Sequence, residues 1–130
     1  MKDLVEKRGF ADLIHIESAA TSREELGNPV HYETREKLAE VGISCDGKRA
    51  RQIDKKDYHL FDYLIAMDSR NVRSMQRVWD DDPSGKMFRL LEFAGEERDI
   101  EDPWYTGDFE TTYQDVLDGC VGLLAHLNQK

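Results

Sequence analysis

Cysteine is scarce in this chain: Cys45 and Cys120 are the only two in 130 residues. Two thiols without a secretory signal do not build a disulfide framework, and a reducing, cytoplasmic setting is expected. The four histidines, His15, His31, His59 and His126, show no ligand spacing, so no metal site is indicated. The acid run Asp80-Asp81-Asp82 before Pro83 lacks the glycine and glutamate of a calcium loop and reads as a solvated turn. Basic residues are outnumbered, 18 Lys and Arg against 27 Asp and Glu, for a net charge of −9. Such a field repels phosphate backbones and argues against nucleic acid as a partner, and no membrane association is expected. There is no repeat, low-complexity segment or long linker, and the length suits one domain, residues 1–130, around one core.

What is present is an alternation of short apolar runs and helical patterns. Residues 13–19 set Leu13, His15 and Glu17 against Ile14, Ile16 and Ser18, and read as a strand. Residues 63–67 form a short apolar run bounded by acids, as a buried parallel strand requires, and residues 87–93 are a third strand candidate. Between them, residues 34–41 end at Gly42 as a helix, and Asp68 can cap a helix carrying Val72, Met75 and Trp79. Phe109, Tyr113, Val116, Leu117, Cys120, Leu124 and Leu127 recur on one face of a final helix, which makes Cys120 a core thiol. Residues 95–100, rich in acid, are expected to be a surface loop. Strands alternating with helices call for an α/β fold, a small three-layer parallel sheet with helices on both faces.

Two motifs in the middle of the chain fail on inspection. Cys45 and Arg51 satisfy Cys-x5-Arg by count, but Gln52 follows where a hydroxyl should steady a thiolate, and a charged helical run rather than a buried strand precedes. Gly42, Gly47 and Lys48 match G-x-x-x-x-G-K, but Arg49 stands where Ser or Thr should hold magnesium. Lys48, Arg49 and Arg51 form a basic patch, solvated or able to dock an anionic partner.

Residues 102–110 read Asp-Pro-Trp-Tyr-Thr-Gly-Asp-Phe-Glu. Pro103 pushes Asp102 out of the helical region and holds its carboxylate on a rigid loop. Trp104 and Tyr105 follow at once. Large rings beside a carboxyl group exclude water and raise its pKa, as a general acid at neutral pH requires. The alternative is a turn whose aromatics dock into the core. A mobile loop at residues 95–100 would carry the acid toward a substrate.

The run from Ser18 to Ser22, the step Gly27-Asn28-Pro29, the stretch from Gly42 to Gln52, the segment from Phe61 to Asp68 with Asn71, and residues 102–110 occur in one order. Together they resemble the low-molecular-weight protein tyrosine phosphatases, over about residues 3–127. The resemblance implies hydrolysis of phosphotyrosine monoesters through a phosphocysteine, with no metal or organic cofactor. It implies Asp102 as the general acid and Trp104 and Tyr105 as walls for the incoming ring of a phosphotyrosine protein or small aryl phosphate. It also implies Ser18 and Asp68 as supports of the phosphate loop, although Lys48 stands near where a supporting histidine would fall. Glu24 lies where some members place an aromatic wall.

The sequence departs from that family at its start. Residues 1–9 look like the second half of the helix that should follow a Cys-x5-Arg-Ser/Thr loop, so the first inner strand, the nucleophile and the phosphate-binding arginine are expected to be missing, and the chain inactive. Two strand edges would then face a gap, inviting self-association. Alternatives are a non-catalytic pseudo-phosphatase that binds through Trp104, Tyr105 and the patch at residues 48–51, and a thioredoxin-coupled arsenate reductase. The last needs paired redox thiols that Cys45 and Cys120 do not supply.

Overall fold

Leu64, Ile65 and Ala66 set the layers of the molecule, because successive side chains of a strand point to opposite faces. In the computed structural model, which describes residues 1–21, 32–43, 51–80 and 82–128, without the side chains of residues 32, 33, 104 and 105, these three residues form strand β1. The order is α1 (Lys2–Lys7), α2 (Tyr32–Glu40), α3 (Asp57–Leu60), β1 (Leu64–Ala66), α4 (Ser69–Val78), β2 (Met87–Arg89), a 3-10 turn (Leu90–Ala94), α5 (Pro103–Thr106) and α6 (Phe109–Asn128). Strands β1 and β2 run parallel, with Leu64, Ile65 and Ala66 opposite Met87, Phe88 and Arg89. Leu64 and Ala66 enter a core with Tyr58, Met75 and Trp79 from α3 and the α4 region. Ile65 faces the other way, into a core of Leu90, Leu91, Ile100, Cys120 and Leu123 that also takes Leu4 from α1. Helices therefore cover both faces of a small parallel sheet, as the alternating pattern requires.

Helix ends follow local chemistry. Gly9 and Gly42 adopt φ of +78°, and each closes its helix with paired backbone bonds: Gly9 to Glu6 and Phe10 to Val5, then Gly42 to Ala39 and Ile43 to Leu38. Asp68 caps α4 by accepting from the Asn71 amide at 2.7 Å. Lys37 of α2 pairs with Glu110 of α6.

Two expected strands differ. Residues 13–19 form no strand: the nearest ladder pairing among the described residues is an isolated parallel bridge between Ala20 and Gln52, and Leu13 is 79% exposed. Alternation specifies a strand only where a partner offers a ladder, and here the ladder-type backbone bonds among the described residues are the two that Ala20 makes with Arg51 and Ile53. The third strand stops at Arg89 instead of continuing to Phe93, because Glu92 turns back to accept from the Arg89 amide and opens the 3-10 turn. Gly95, at φ +82°, ends it.

In the acid run Asp80 is exposed, as expected of a solvated turn, but Asp82 is not simply solvated. Asp82 accepts from the Tyr58 hydroxyl at 2.7 Å and from the amides of Lys86 at 2.8 Å and Met87 at 3.0 Å, so it fixes the entry to β2. Partial burial pushes its pKa up, but the amides of Met87 and Lys86, the Tyr58 hydroxyl and the Gly85 amide outweigh it, and the carboxyl is held below its ordinary 3.8. A depressed folded pKa contributes stability at pH above the ordinary value, lost as pH falls through the lowered one. Asp82→Asn, which keeps a residue tolerant of the left-handed φ of +63°, is expected to lower the melting temperature at neutral pH and to flatten its decline on acidification below 3.8. An unchanged acid limb in the variant would show that Asp82 is not the responsible carboxylate.

The seam of α6 is rotated from the expected one. Leu117 is 37% exposed, while Gly119, Cys120, Leu123 and Leu124 are buried. Glycine permits the close approach: a Cβ on Gly119 would lie 2.4 Å from Leu90 Cγ, and one on Gly122 would lie 2.1 Å from the Phe93 carbonyl oxygen. Alanine gains about 1 kcal/mol of helix propensity over glycine, whereas overpacking costs about 1–3 kcal/mol or more. The collision at Gly122 is with backbone, which cannot change rotamer. Gly122→Ala is therefore expected to lower the urea midpoint, and more than Gly119→Ala, whose obstacle is a leucine side chain. A Gly122→Ala variant as stable as the parent would contradict the close approach.

Candidate functional site

The site is built outward from Asp99. Its Oδ1 accepts from the amide of Ser69 at 2.9 Å, from the Ser69 hydroxyl at 2.8 Å and from Arg89 Nη1 at 3.0 Å. Partial burial raises its pKa, but the Ser69 hydroxyl, Arg89 and the Ser69 amide hold the carboxyl below its ordinary range. One residue later, the Ile100 amide donates to the carbonyl of Met67 at 2.8 Å, and the Ile100 side chain is buried. The chain leaving the 3-10 turn is thus laid beside the end of β1 and the start of α4.

A second clamp holds the same segment from the other layer. Arg98 donates through both terminal nitrogens to Asp115 of α6, at 3.0 and 2.8 Å, and through Nη2 and Nε to Glu96 at 3.2 and 3.3 Å. Asp115 is buried, on the seam with Gly119 and Leu123. Hydrogen bonding from Arg98 holds Asp115 below the usual carboxylate range against the effect of burial, and in return raises Arg98 above its own. The fork of a guanidinium matches both oxygens of one carboxylate. The segment 95–100 is a surface loop in part only: Ile100 is buried, and the loop is bonded through Arg98, Asp99 and Ile100.

Asp102 leaves this frame. The Thr112 hydroxyl donates to the Glu101 carbonyl at 3.1 Å. Pro103 then begins α5, where its missing amide costs nothing. The Asp102 carbonyl accepts from Thr106 at 3.3 Å, Gly107 turns at φ +73°, and Asp108 starts α6 by accepting from the Thr111 amide and hydroxyl. Those Thr111 bonds hold Asp108 below its ordinary pKa. The side chain of Asp102 is exposed. The side chains of Trp104 and Tyr105 lie outside the described residues.

The remaining sequence candidates separate. Asp68 stands at the cap of α4, one residue before Ser69. Ser18 is exposed, and no hydrogen bond among the described residues joins it to Asp68 or Asp102. Cys120 is buried in the core and free. Cys45 and Lys48 lie outside the described residues. Arg51, from the same near-miss motif, binds Asp57 through Nη1 at 3.1 Å and Nη2 at 3.4 Å, and Glu17 through Nη2 at 3.3 Å. A guanidinium committed to two carboxylates is poorly placed to take a phosphate. Among the described residues no three His, Cys, Asp or Glu side chains are grouped to hold a metal ion, and no helix is long and apolar enough to cross a membrane.

Arg98, Asp99, Ser69 and Asp115 escaped the sequence reading. Asp115 carried a signal, since an acid spaced four and eight residues from Gly119 and Leu123 on an inward face demands a cation. Asp115→Asn weakens the clamp while keeping the shape. Amide exchange at Ile100 and Glu101 is expected to accelerate in this variant, with the amides of α4 unchanged. Unaltered exchange at both positions would mean that Asp99 alone holds the segment.

All of residues 1–130 match the family model described as low molecular weight phosphotyrosine protein phosphatase. The low molecular weight protein-tyrosine-phosphatase YfkJ of Bacillus subtilis is 37% identical over 131 residues, covering 99% of this chain and 84% of the relative. The crystal structure of YfkJ superposes with a TM-score of 0.94 at 38% identity, covering 98% of this chain and 82% of that one. That of SP-PTP from Streptococcus pyogenes, a low molecular weight protein tyrosine phosphatase, gives 0.81 at 41% identity, covering 90% and 75%. This chain belongs to the low-molecular-weight phosphotyrosine protein phosphatase family.

Proposed function

We propose that this chain carries the leaving-group side of a phosphotyrosine phosphatase site, with Asp102 as the proton donor. Its support is the placement of Asp102: exposed, beside Pro103, and held at the rim of a frame built by Asp99 and Arg98. In the family reaction a thiolate attacks phosphorus and forms a phosphocysteine as the bond to the aryl oxygen breaks. Asp102 gives its proton to that departing oxygen. The Asp102 carboxylate then takes a proton from the water that attacks the phosphocysteine, which releases phosphate and restores the thiol sulfur as thiolate. Trp104 and Tyr105 would flank the ring of a phosphotyrosine protein or small aryl phosphate, and Ser18 and Asp68 would steady the phosphate loop. Cytoplasmic residence belongs to the same reading.

Residues 1–130 taken alone do not complete that cycle. Cys120 is buried, and neither cysteine is followed by five residues, arginine and a hydroxyl. Asp102 by itself donates only to a leaving group that nothing is attacking. This favours, for the 130-residue chain, a second reading as a binding module that holds a phosphotyrosine segment without turnover. Arsenate reduction is disfavoured, since Cys120 is enclosed in the core and unavailable as one of a redox pair. The edge of β1 that does not face β2 has no strand beside it among the described residues, which supports association of copies there.

Hydrolysis of p-nitrophenyl phosphate by the 130-residue chain is expected at background, while phosphotyrosine perturbs tryptophan fluorescence through Trp104. Sedimentation of the same sample over a concentration series would read association. Turnover that disappears in Cys45→Ser would overturn the assignment and make Cys45 the nucleophile. Absence of both turnover and binding would remove the binding module.

A further inference from the structure

Helix α4 is the exception in an acidic chain. From Ser69 to Trp79 it holds Arg70, Arg73 and Arg77 and no aspartate or glutamate. At 100° per residue these three fall within one narrow stripe, opposite Val72, Met75 and Trp79, which face the core. All three arginines are exposed, and none has an ion pair or side-chain hydrogen bond among the described residues. Arg77, in the last turn, gains from the helix dipole, but folding gives no reason for the other two arginines. Like charges three and four residues apart on a helix repel, and Arg70 lies in the first turn, where the helix dipole disfavours a cation.

We propose that this stripe docks a short acidic segment of a protein substrate, adjacent to its phosphotyrosine, a proposal that rests on the phosphatase reading above. The stripe starts where the site is: Ser69, next to Arg70, bonds Asp99, and the Ile100 amide bonds Met67, two residues before Asp102. It runs away from there for about 10 Å, seven residues at 1.5 Å. In an extended peptide, side chains on one face recur about every 7 Å, so two or three carboxylates on alternate residues match its length. Arg73 and Arg77 also line a shallow groove of about 460 Å³ together with Gln76 and a single acid, Asp80. The net charge of −9 repels extended polyanions such as a lipid surface or nucleic acid. A short peptide meets only the local basic patch. No exposed apolar side chain of α4 accompanies the arginines to enter a membrane.

The test uses the 130-residue chain and a dye-labelled hexapeptide alternating glutamate and glycine, with its glutamine counterpart as control, in fluorescence anisotropy at low ionic strength. Neither peptide contains phosphotyrosine, so Asp102→Asn should bind as the parent does, and loss of catalysis or of phosphotyrosine binding would leave this result untouched. The glutamate peptide is expected to bind and the glutamine peptide not, with the interaction weakening steeply on adding salt. Replacing Arg70, Arg73 and Arg77 together by serine is expected to weaken binding roughly tenfold, as three exposed pairs imply, without changing the thermal melt. Equal binding by the triple variant, or equal binding of both peptides, would overturn the proposal. So would stripe-dependent retention on phosphatidylserine vesicles without peptide binding, which would assign the arginines to membranes.

Discussion

Asp99 accepts three hydrogen bonds, from both donors of Ser69 and from Arg89, and so joins the first residue of α4, the last residue of β2 and the segment that leads to Asp102. An ionised carboxylate bonded to an arginine and a backbone amide makes charge-assisted contacts, stronger than neutral ones. Everything that places Asp102 is measured from that point. Ile100 follows with its amide on Met67 and its side chain in the core, and Glu101 offers its carbonyl to Thr112 of α6. The Asp102 side chain is exposed while the backbone that carries it is tied to both layers.

The two layers meet this segment with different chemistry. On the α4 side the contacts converge on one carboxylate. On the α6 side Arg98 forks onto the buried Asp115, whose charge would be costly without a partner. The same helix approaches the 3-10 turn so closely that Gly119 and Gly122 have no room for a methyl group. Packing thus brings α6 near enough for Asp115 to be reached, and the ion pair returns the benefit by locking the loop over it. Charge is used in the opposite sense on the outer face of α4, where three arginines are left to solvent in a chain that is otherwise acidic.

Much of this was legible in the sequence. The caps at Asp68, Gly9 and Gly42, the apolar run at β1 and the helical period of α6 are local properties, set by dihedral preferences and side-chain spacing within a few residues. The motif at residues 102–110 and the order of the others were enough for family membership. The irregular state of residues 13–19, the stop of β2 at Arg89 and the anchoring of Asp82 were not legible, because each depends on which groups lie opposite.

By itself, then, the sequence determined that one helix ends at Gly42 and another starts at Asp68, that strands and helices alternate, and that an aspartate stands before Pro103 beside two aromatics. Only the tertiary structure decided that Arg51 is bound to Asp57 and Glu17, that Arg98 and Asp99 frame Asp102, and that Arg70, Arg73 and Arg77 lie on one stripe without an ion pair among the described residues. The reason is range. Period and capping act over four or five residues, whereas an ion pair such as Arg98 with Asp115 joins residues that only the packed layers bring within 3 Å.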